Sequence, residues 1–150
     1  MQEIKQQLYN ACTAYVQQRI ETANNAVKEA QASANSETKS TAGDKHDTAR
    51  AMMQLAAEQN AKHLSAANKL KHALTLIDPK SEQSKVSLGS LVLASNGNFY
   101  VAISAGKIEL DGTLYFAISP TSPMGQILSG LQKGDETEFN GRKIVVKEVC

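Results

Sequence analysis

The strongest constraint on the fold of this chain is an abrupt change of sequence pattern near Asp78-Pro79. Before this point the sequence is rich in Ala, Gln, Glu and Lys, contains no proline and has a single glycine, Gly43. All three phenylalanines, most of the glycines and most of the β-branched aliphatic residues follow it. The two patterns predict an α+β protein with a helical N-terminal part and a strand-rich C-terminal part.

The N-terminal part carries two apolar seams of helical spacing, separated by the polar segment 33–43. The first seam alternates steps of four and three residues, as coiled coils do, and comprises Val16, Ile20, Ala23, Val27, Ala30 and Ala34, extended backwards by Ile4, Leu8 and Cys12. The second seam is less regular and comprises Met53, Ala57, Leu64, Ala67, Leu70, Leu74 and Ile77. Each helix has one apolar stripe to bury, so we expect an antiparallel helical hairpin over residues 1–77, with its tip near 35–47.

The C-terminal part has the pattern of a small sheet. Four segments have the composition of strands, namely 91–94, 99–104, 114–118 and 143–147. They are separated by three dipeptides typical of tight hairpin turns, Asn96-Gly97, Asp111-Gly112 and Asn140-Gly141. One helix is predicted over 123–131, with Ser122 as its N-cap and Pro123 at its first position. We expect a linker over 78–85 and an antiparallel sheet domain with one helix over 86–150.

The core of this second domain is predicted from the inward-facing apolar positions of its strands and helix. These positions are Leu91, Val101, Ile103, Phe116, Ile118, Ile127, Leu131, Phe139 and Ile144.

Charge and cysteine content exclude several classes of function. The formal net charge is +1, and neither half has the strongly basic field of a protein that binds duplex nucleic acid through its phosphates. Cys12 and Cys150 lie far apart with no CxxC or Cys/His cluster, which argues against a zinc site and a disulfide framework. The N-terminus lacks a signal-peptide pattern and no apolar run is long enough to span a bilayer. We expect a cytoplasmic protein with no membrane partner.

The segment from Ile118 to Glu136, ISPTSPMGQILSGLQKGDE, resembles the C-terminal domain of the GreA/GreB transcript cleavage factors. In that family a Ser-Pro-hydrophobic-Gly helix start is followed by Leu and by a Lys/x-Gly-Asp turn before a strand. The resemblance implies an FKBP-like fold for this domain, and the helical hairpin before it is what the family has there. It also implies that Thr121, Ser122, Pro123 and Met124 contact RNA polymerase.

A second similarity lies at the expected hairpin tip. The sequence Gly43-Asp-Lys-His-Asp-Thr-Ala49 resembles the Gly-Asp-x-x-Glu-Asn-Ala motif of the same family. The resemblance implies a bacterial elongation factor whose coiled coil enters the secondary channel of RNA polymerase. There Asp44 and Asp47 would help to hold a Mg²⁺ ion of the polymerase active site and promote cleavage of backtracked RNA. The protein would then be no enzyme itself, would bind no cofactor alone, and is expected to be a monomer.

The chain departs from the family pattern near the tip. Asp47 stands where the family has glutamate, and Arg50 and Ala51 stand where the family has an acid and an aromatic residue. One alternative is therefore a Gre-like regulator that occupies the channel without stimulating cleavage. Another, from the FKBP-like fold, is a prolyl isomerase or chaperone. The five aromatic residues after position 80 leave few to line the apolar pocket that such an activity needs.

Each tip residue also has a purely structural interpretation. Asp44 and Asp47 suit the start of a helix, where carboxylates cap the free N–H groups and favour the helix dipole. Three cations near the tip could contact RNA phosphates, which the polymerase would bring close, or could form an ordinary solvated surface; they are Lys39, Lys45 and Arg50. His46 is more typical of a solvated histidine than of a metal ligand, because a site needs more ligands.

Overall fold

The computed structural model describes the backbone of residues 1–37 and 44–150, and the side chains of the same residues except 33–37 and 44–47. The backbone of residues 38–43 and every side chain of the expected hairpin tip, 35–47, therefore lie outside the described part of the chain. The chain forms two compact units. One consists of Met1–Tyr15 together with His72–Cys150, and we call it the sheet unit. The other consists of Val16–Lys71, and we call it the hairpin unit.

The fold is α+β, with a long N-terminal helical pair and a C-terminal sheet, as the sequence predicts. Helix α1 spans Gln2–Glu37 and helix α2 spans Asp44–Thr75. In the hairpin unit the two helices lie side by side, and Ala30 of α1 lines the same groove as Met53 and Ala57 of α2. Both helices lack Pro and Gly, so nothing in either sequence interrupts the backbone hydrogen bonds.

The first predicted seam is confirmed and the second is corrected at one position. On α1, Val16 and Ala23 are buried and Ile20 and Val27 are partly buried; Ala34 lies outside the described side chains. On α2, Ala57 is exposed, and the half-buried seam positions are instead Ala49, Met53, Ala56, Asn60 and Leu64. Asn60 is polar, so a search for apolar spacing alone passes over it.

The sheet contains six strands in the order β3-β4-β2-β1-β6-β5. Their bounds are Leu91–Ala94 for β1, Gly97–Val101 for β2, Gly106–Leu110 for β3, Thr113–Ile118 for β4, Glu136–Phe139 for β5 and Arg142–Val149 for β6. The short helix α3 spans Pro123–Leu128, between β4 and β5. All neighbouring pairs are antiparallel except β2 and β4, which are parallel and align Tyr100 with Ala117. The sequence predicted an antiparallel sheet and did not predict this pair.

Two of the predicted turns, Asp111-Gly112 and Asn140-Gly141, join β3 to β4 and β5 to β6. The third prediction, Asn96-Gly97, is wrong by one residue, because Ala94 pairs with Gly97 and the turn between β1 and β2 is Ser95-Asn96. Asp111 and Asn140 have positive φ angles of 50° and 52°, and the glycine after each is also positive. Two consecutive positive φ angles define the type I′ turn that matches strand twist. The strands β3 and β5 were not predicted from composition, although their turns were.

Both faces of the sheet are covered within the sheet unit. Strand register places Phe99 and Phe116 on one face, where they join the core that includes Leu128 of α3. Tyr100 lies on the opposite face because successive side chains alternate. There it is buried beside Cys12 and Tyr9 of α1. The first turns of α1 therefore cover the face of the sheet that α3 leaves open.

Among the predicted core residues, Leu91, Val101, Ile103 and Ile144 are buried. The others are partly buried, namely Phe116, Ile118, Ile127, Leu131 and Phe139. The linker predicted over 78–85 remains a prediction. Within the sheet unit, two side chains of α1 donate hydrogen bonds to this segment. Gln2 Nε2 donates to the carbonyl oxygen of Lys80 at 3.0 Å, and Lys5 Nζ donates to that of Ser81 at 2.6 Å.

Candidate functional site

The two candidate catalytic and metal-binding acids lie at the beginning of α2. Asp44 is the first residue of this helix and Asp47 the fourth. Their side chains lie outside the described part of the chain, as do those of Lys45 and His46, and Lys39 is not described at all. The carboxylate pair, its Mg²⁺ and the RNA contacts of the two lysines therefore remain predictions.

Arg50 is the one candidate RNA contact whose side chain is described, and it is exposed. It lies at the rim of a groove of about 440 Å³ between the two helices of the hairpin unit. The groove is lined by small apolar and amide side chains as well as the guanidinium: Ala30, Gln31, Arg50, Met53, Gln54 and Ala57. Each helix contributes an alanine to the lining, and larger side chains at these two positions would fill part of the space. The structure thus places a cation beside an open apolar groove near the start of α2.

The candidate docking segment at the start of α3 has a well-defined structural role. The Ser122 hydroxyl accepts a hydrogen bond from the N–H of Gly125 at 3.1 Å and donates one to the carbonyl oxygen of Ser119 at 2.7 Å. Pro123 is exposed at the first helical position, where its missing N–H costs nothing. Met124 packs against the core. The predicted N-cap and helix start are confirmed.

Gly125 completes this segment for a steric reason. A Cβ atom at this position would lie 2.1 Å from the carbonyl oxygen of Ser119 and 3.0 Å from the Ser122 hydroxyl oxygen. Any side chain would therefore push apart the loop that the Ser122 cap holds together. The Ser-Pro-hydrophobic-Gly pattern is thus explained by the local fold. Of the four candidate docking residues, Thr121 and Pro123 are exposed and Ser122 and Met124 are partly buried.

The Lys-Gly-Asp turn of the resemblance is also structural. The Asp135 carboxylate accepts a hydrogen bond from the N–H of Gln132 at 2.8 Å. Gly134 adopts a φ of +90°, a conformation that residues with a side chain rarely take. The N–H of Gly134 donates to the carbonyl oxygen of Val146 and so anchors the turn on β6. Both motifs of the C-terminal segment are therefore primarily determinants of fold.

Lys5 is a buried charged residue that the sequence reasoning missed. Its side chain is fully buried in the sheet unit, and its Nζ donates to the carbonyl oxygens of Ser81 and Cys150 at 2.6 and 3.1 Å. Burial lowers the pKa of Lys5, opposed by the nearby charges of Cys150, Glu82 and Asp78. The available signal was spacing, because Lys5, Leu8 and Cys12 follow the same three-and-four alternation as the apolar seam.

Cys12 and Tyr100 form a second buried polar cluster. Both are fully buried, and burial raises the pKa of the Cys12 thiol to about 11, so it stays protonated and poorly nucleophilic. Burial, with contributions from Cys12 and Tyr9, raises the pKa of Tyr100. The Tyr100 hydroxyl has no hydrogen-bond partner among the described residues. This cluster has the properties of a packed core and lacks those of a nucleophilic site.

The described residues contain no group of three or more His, Cys, Asp or Glu side chains that could hold a metal ion. Within the same part of the chain, no helix is long and apolar enough to cross a membrane. In comparisons with known proteins, no family model matches the chain and no curated protein matches it. The candidate sites are thus defined by the chain's own residues. They are the start of α2, the groove beside Arg50, and the exposed edge of α3, by which we mean Thr121 and Pro123.

Proposed function

We propose that this protein is a bacterial transcription elongation factor that binds RNA polymerase. In this proposal the helical pair enters the secondary channel of the polymerase, and the connection between the helices reaches the active site. Asp44 and Asp47 would then complete the polymerase's metal site and promote hydrolysis of backtracked RNA. The sheet unit would hold the polymerase through the exposed edge of α3.

The observation that carries the proposal is the position of two acids at one end of a long helical pair. Asp44 and Asp47 occupy the first turn of α2, next to the connection with α1. The part of α2 in the hairpin unit, Asp44–Lys71, is roughly 40 Å long at 1.5 Å per residue. Two long packed helices are narrow, about two helix diameters across, so such an element suits a channel.

The donor set fits a role that is shared with another protein. Mg²⁺ prefers oxygen ligands and takes six of them, which include carboxylate oxygens and waters. Two aspartates are too few to hold the ion alone, so the polymerase must supply other ligands. Once bound, the ion would stabilise charge on the attacking and leaving oxygens. The contribution of this chain would be to bring its two carboxylates to the ion.

The test is a cleavage assay on halted elongation complexes whose RNA has slid backwards. Adding the protein with Mg²⁺ is expected to release a short 3′ fragment. Asp44→Asn is expected to abolish the release but leave binding to the polymerase unchanged. Glu58→Gln makes the same acid-to-amide change at an exposed position of α2 and serves as the matched control. Equal cleavage by wild type and Asp44→Asn would refute the assignment of Asp44.

A second candidate function is channel binding without cleavage. The structure exposes Arg50 and Ala51 on the second turn of α2, where the resembling family has an acid and an aromatic residue. A guanidinium there would attract RNA phosphate and would add no ligand for Mg²⁺. This candidate predicts that the protein competes with an authentic cleavage factor for the polymerase and releases no RNA fragment of its own.

A further inference from the structure

One edge of the sheet is formed by β3, and the outer side of this strand is unpaired. β3 stands at the end of the strand order and has only β4 as a neighbour within the described residues. Leu110 pairs with Thr113 across a two-residue turn. In such a tight hairpin the pair next to the turn is hydrogen-bonded, and hydrogen-bonded pairs alternate along the ladder with pairs that are not. The backbone N–H and C=O groups of Lys107 and Glu109 therefore point away from β4, toward the open edge.

The side chains at this edge carry one charge of each sign. Lys107 and Glu109 are exposed, and they lie on the same face of the sheet because they are two residues apart. Neither makes an ion pair with another described residue. Ile108 lies between them on the opposite face and is only partly buried. The edge thus offers backbone groups, two opposite charges and an incompletely buried apolar side chain to a partner.

This arrangement is complementary to a second copy of itself. When two β3 strands pair antiparallel with Ile108 at the twofold axis, Lys107 of each copy lies opposite Glu109 of the other. Each of these pairs exchanges two backbone hydrogen bonds, because both residues direct their backbone groups to the open edge. Each pair also joins opposite charges, which attract across an antiparallel ladder. On the other face the two Ile108 side chains meet at the axis and lose water on contact.

The opposite edge of the sheet has the charges of a strand that resists self-pairing. It is formed by β5, whose outward backbone groups, by the same reasoning from its tight turn, belong to Glu136 and Glu138. Two antiparallel β5 strands would place Glu136 opposite Glu138, so that like charges repel across both pairs. Glu136 also has an ion-pair partner within the same copy, Lys143 at 3.0 Å. Charges on edge strands commonly prevent association; the signs at β5 suit that role, whereas those at β3 attract.

The length of β3 sets the strength of the association. A stable dimer buries roughly 800 Å² on each partner, which is more than one short edge strand offers. We therefore expect a weak and reversible dimer, with a dissociation constant on the order of 0.1–1 mM. Backbone hydrogen bonds form with any paired strand, so the two ion pairs are what select the partner and fix the register.

We propose that this protein is in equilibrium with a symmetric dimer in which the β3 strands of two copies pair antiparallel, with Lys107 of each copy bound to Glu109 of the other. The six strands of each copy then belong to one continuous sheet. The proposal does not rest on binding to RNA polymerase. It replaces the expectation of a permanent monomer with a monomer–dimer equilibrium.

The test is sedimentation equilibrium of the full chain at concentrations around the expected dissociation constant. Lys107→Glu and Glu109→Lys each place like charges across both cross-strand pairs, and each is expected to weaken self-association by on the order of tenfold. Glu58→Lys makes the same change of charge as Glu109→Lys at an exposed position of α2. It is the matched control and should associate like wild type. The unfolding temperatures should stay close to that of wild type, because all three side chains are exposed.

A mixture of the two charge-reversed variants tests the register itself. In a heterodimer of Lys107→Glu with Glu109→Lys, both cross-strand pairs again join opposite charges. The mixture should therefore associate as strongly as wild type, although each variant alone associates weakly. A variant that had failed to fold would not be rescued in this way. Mixing Lys107→Glu with Glu58→Lys should give no such recovery, because one pair still joins like charges.

Four results would overturn the proposal. In the first, wild type stays monomeric at concentrations up to about 1 mM. In the second, it forms a dimer that neither charge reversal weakens, so the interface lies elsewhere. In the third, the mixture of Lys107→Glu and Glu109→Lys associates no better than its components, so the register is wrong. In the fourth, species larger than a dimer form, which indicates an open contact, such as β3 with β5 of the next copy, in place of a closed one.

Discussion

Removing one oxygen atom from the centre of the sheet unit is expected to stabilise the protein. The side chain of Tyr100 is fully buried, and its hydroxyl has no hydrogen-bond partner among the described residues. Such a hydroxyl loses its bonds to water on folding and gains none in return. Tyr100→Phe removes this group, and the ring keeps its packing on the sheet face that α1 covers.

The magnitude follows from the cost of burying an unpaired polar group. That cost is about 1–3 kcal/mol in proteins, and the oxygen also makes some favourable van der Waals contacts that the variant loses. The net expectation is a gain of about 1 kcal/mol in the free energy of unfolding. For a chain of this size such a gain raises the unfolding temperature by about 3 °C.

The same chemical change at Tyr9 is expected to have the opposite sign. The Tyr9 hydroxyl donates to the carbonyl oxygen of Leu74 at 3.1 Å. Tyr9→Phe removes a made hydrogen bond, which is worth about 0.5–1.5 kcal/mol. The loss should fall near the lower end of this range, because the N–H of Ile77 also donates to the Leu74 carbonyl oxygen and keeps it paired.

The assay is chemical and thermal unfolding of wild type and the two phenylalanine variants, followed by circular dichroism at one pH and one protein concentration. Tyr100→Phe should unfold later than wild type and Tyr9→Phe earlier. A loss of about 1 kcal/mol or more in Tyr100→Phe would refute the reasoning. It would mean that the hydroxyl is bonded in solution, with the Cys12 thiol or a buried water as its partner.

Three further predictions concern Cys12, Gly125 and Lys5, and the second of them has a control at Gly130. Burial raises the pKa of the Cys12 thiol from 9.0 to about 11, so the stability that this group contributes is fully present below pH 9 and is lost as pH rises through 11. In Cys12→Ala the decrease in the free energy of unfolding between pH 8 and 11 should be smaller than in wild type by on the order of 2 kcal/mol. Gly125→Ala should lower the free energy of unfolding by at least about 2 kcal/mol, because its Cβ would lie 2.1 Å from the Ser119 carbonyl oxygen. The control Gly130→Ala has open space around the new Cβ but a φ of +80°, so it should lose only about 1 kcal/mol, and equal losses in the two variants would contradict the steric clash. Lys5→Met should destabilise by about 2 kcal/mol, because it leaves the Ser81 carbonyl oxygen without the charged donor that pairs it, and an unchanged denaturation midpoint would show that this bond contributes nothing.

Local chemistry determined much of the sheet. Asp111-Gly112 and Asn140-Gly141 adopt the positive φ angles that their residue types tolerate, so each turn was readable without knowledge of its surroundings. The Ser122 cap and Pro123 followed from local hydrogen bonding in the same way. The seam of α1 was readable because a single period extends over several turns. The alternating steps of four and three residues remain recognisable although some of the seam positions are alanine.

Long-range pairing decided what these local signals left open. The parallel alignment of β2 with β4 joins Phe99 to Phe116 across an intervening hairpin strand, and no residue near either strand indicates it. Six of the nine residues of β3 and β5 are Gly, Lys, Glu or Thr, and these strands form because their turns bring them to the edges of the sheet. Exposed edge strands need little apolar content, so composition was a poor guide to them.

By itself the sequence determined where helices give way to strands, which turns are tight and which seam α1 buries, because backbone sterics and a repeating period act over short distances. Only the tertiary structure decided that Lys5 is fully buried and that Tyr100 has no hydrogen-bond partner among the described residues. Burial depends on which surface arrives from elsewhere in the chain. Here the first turns of α1 meet the face of a sheet that begins some ninety residues later, at Leu91.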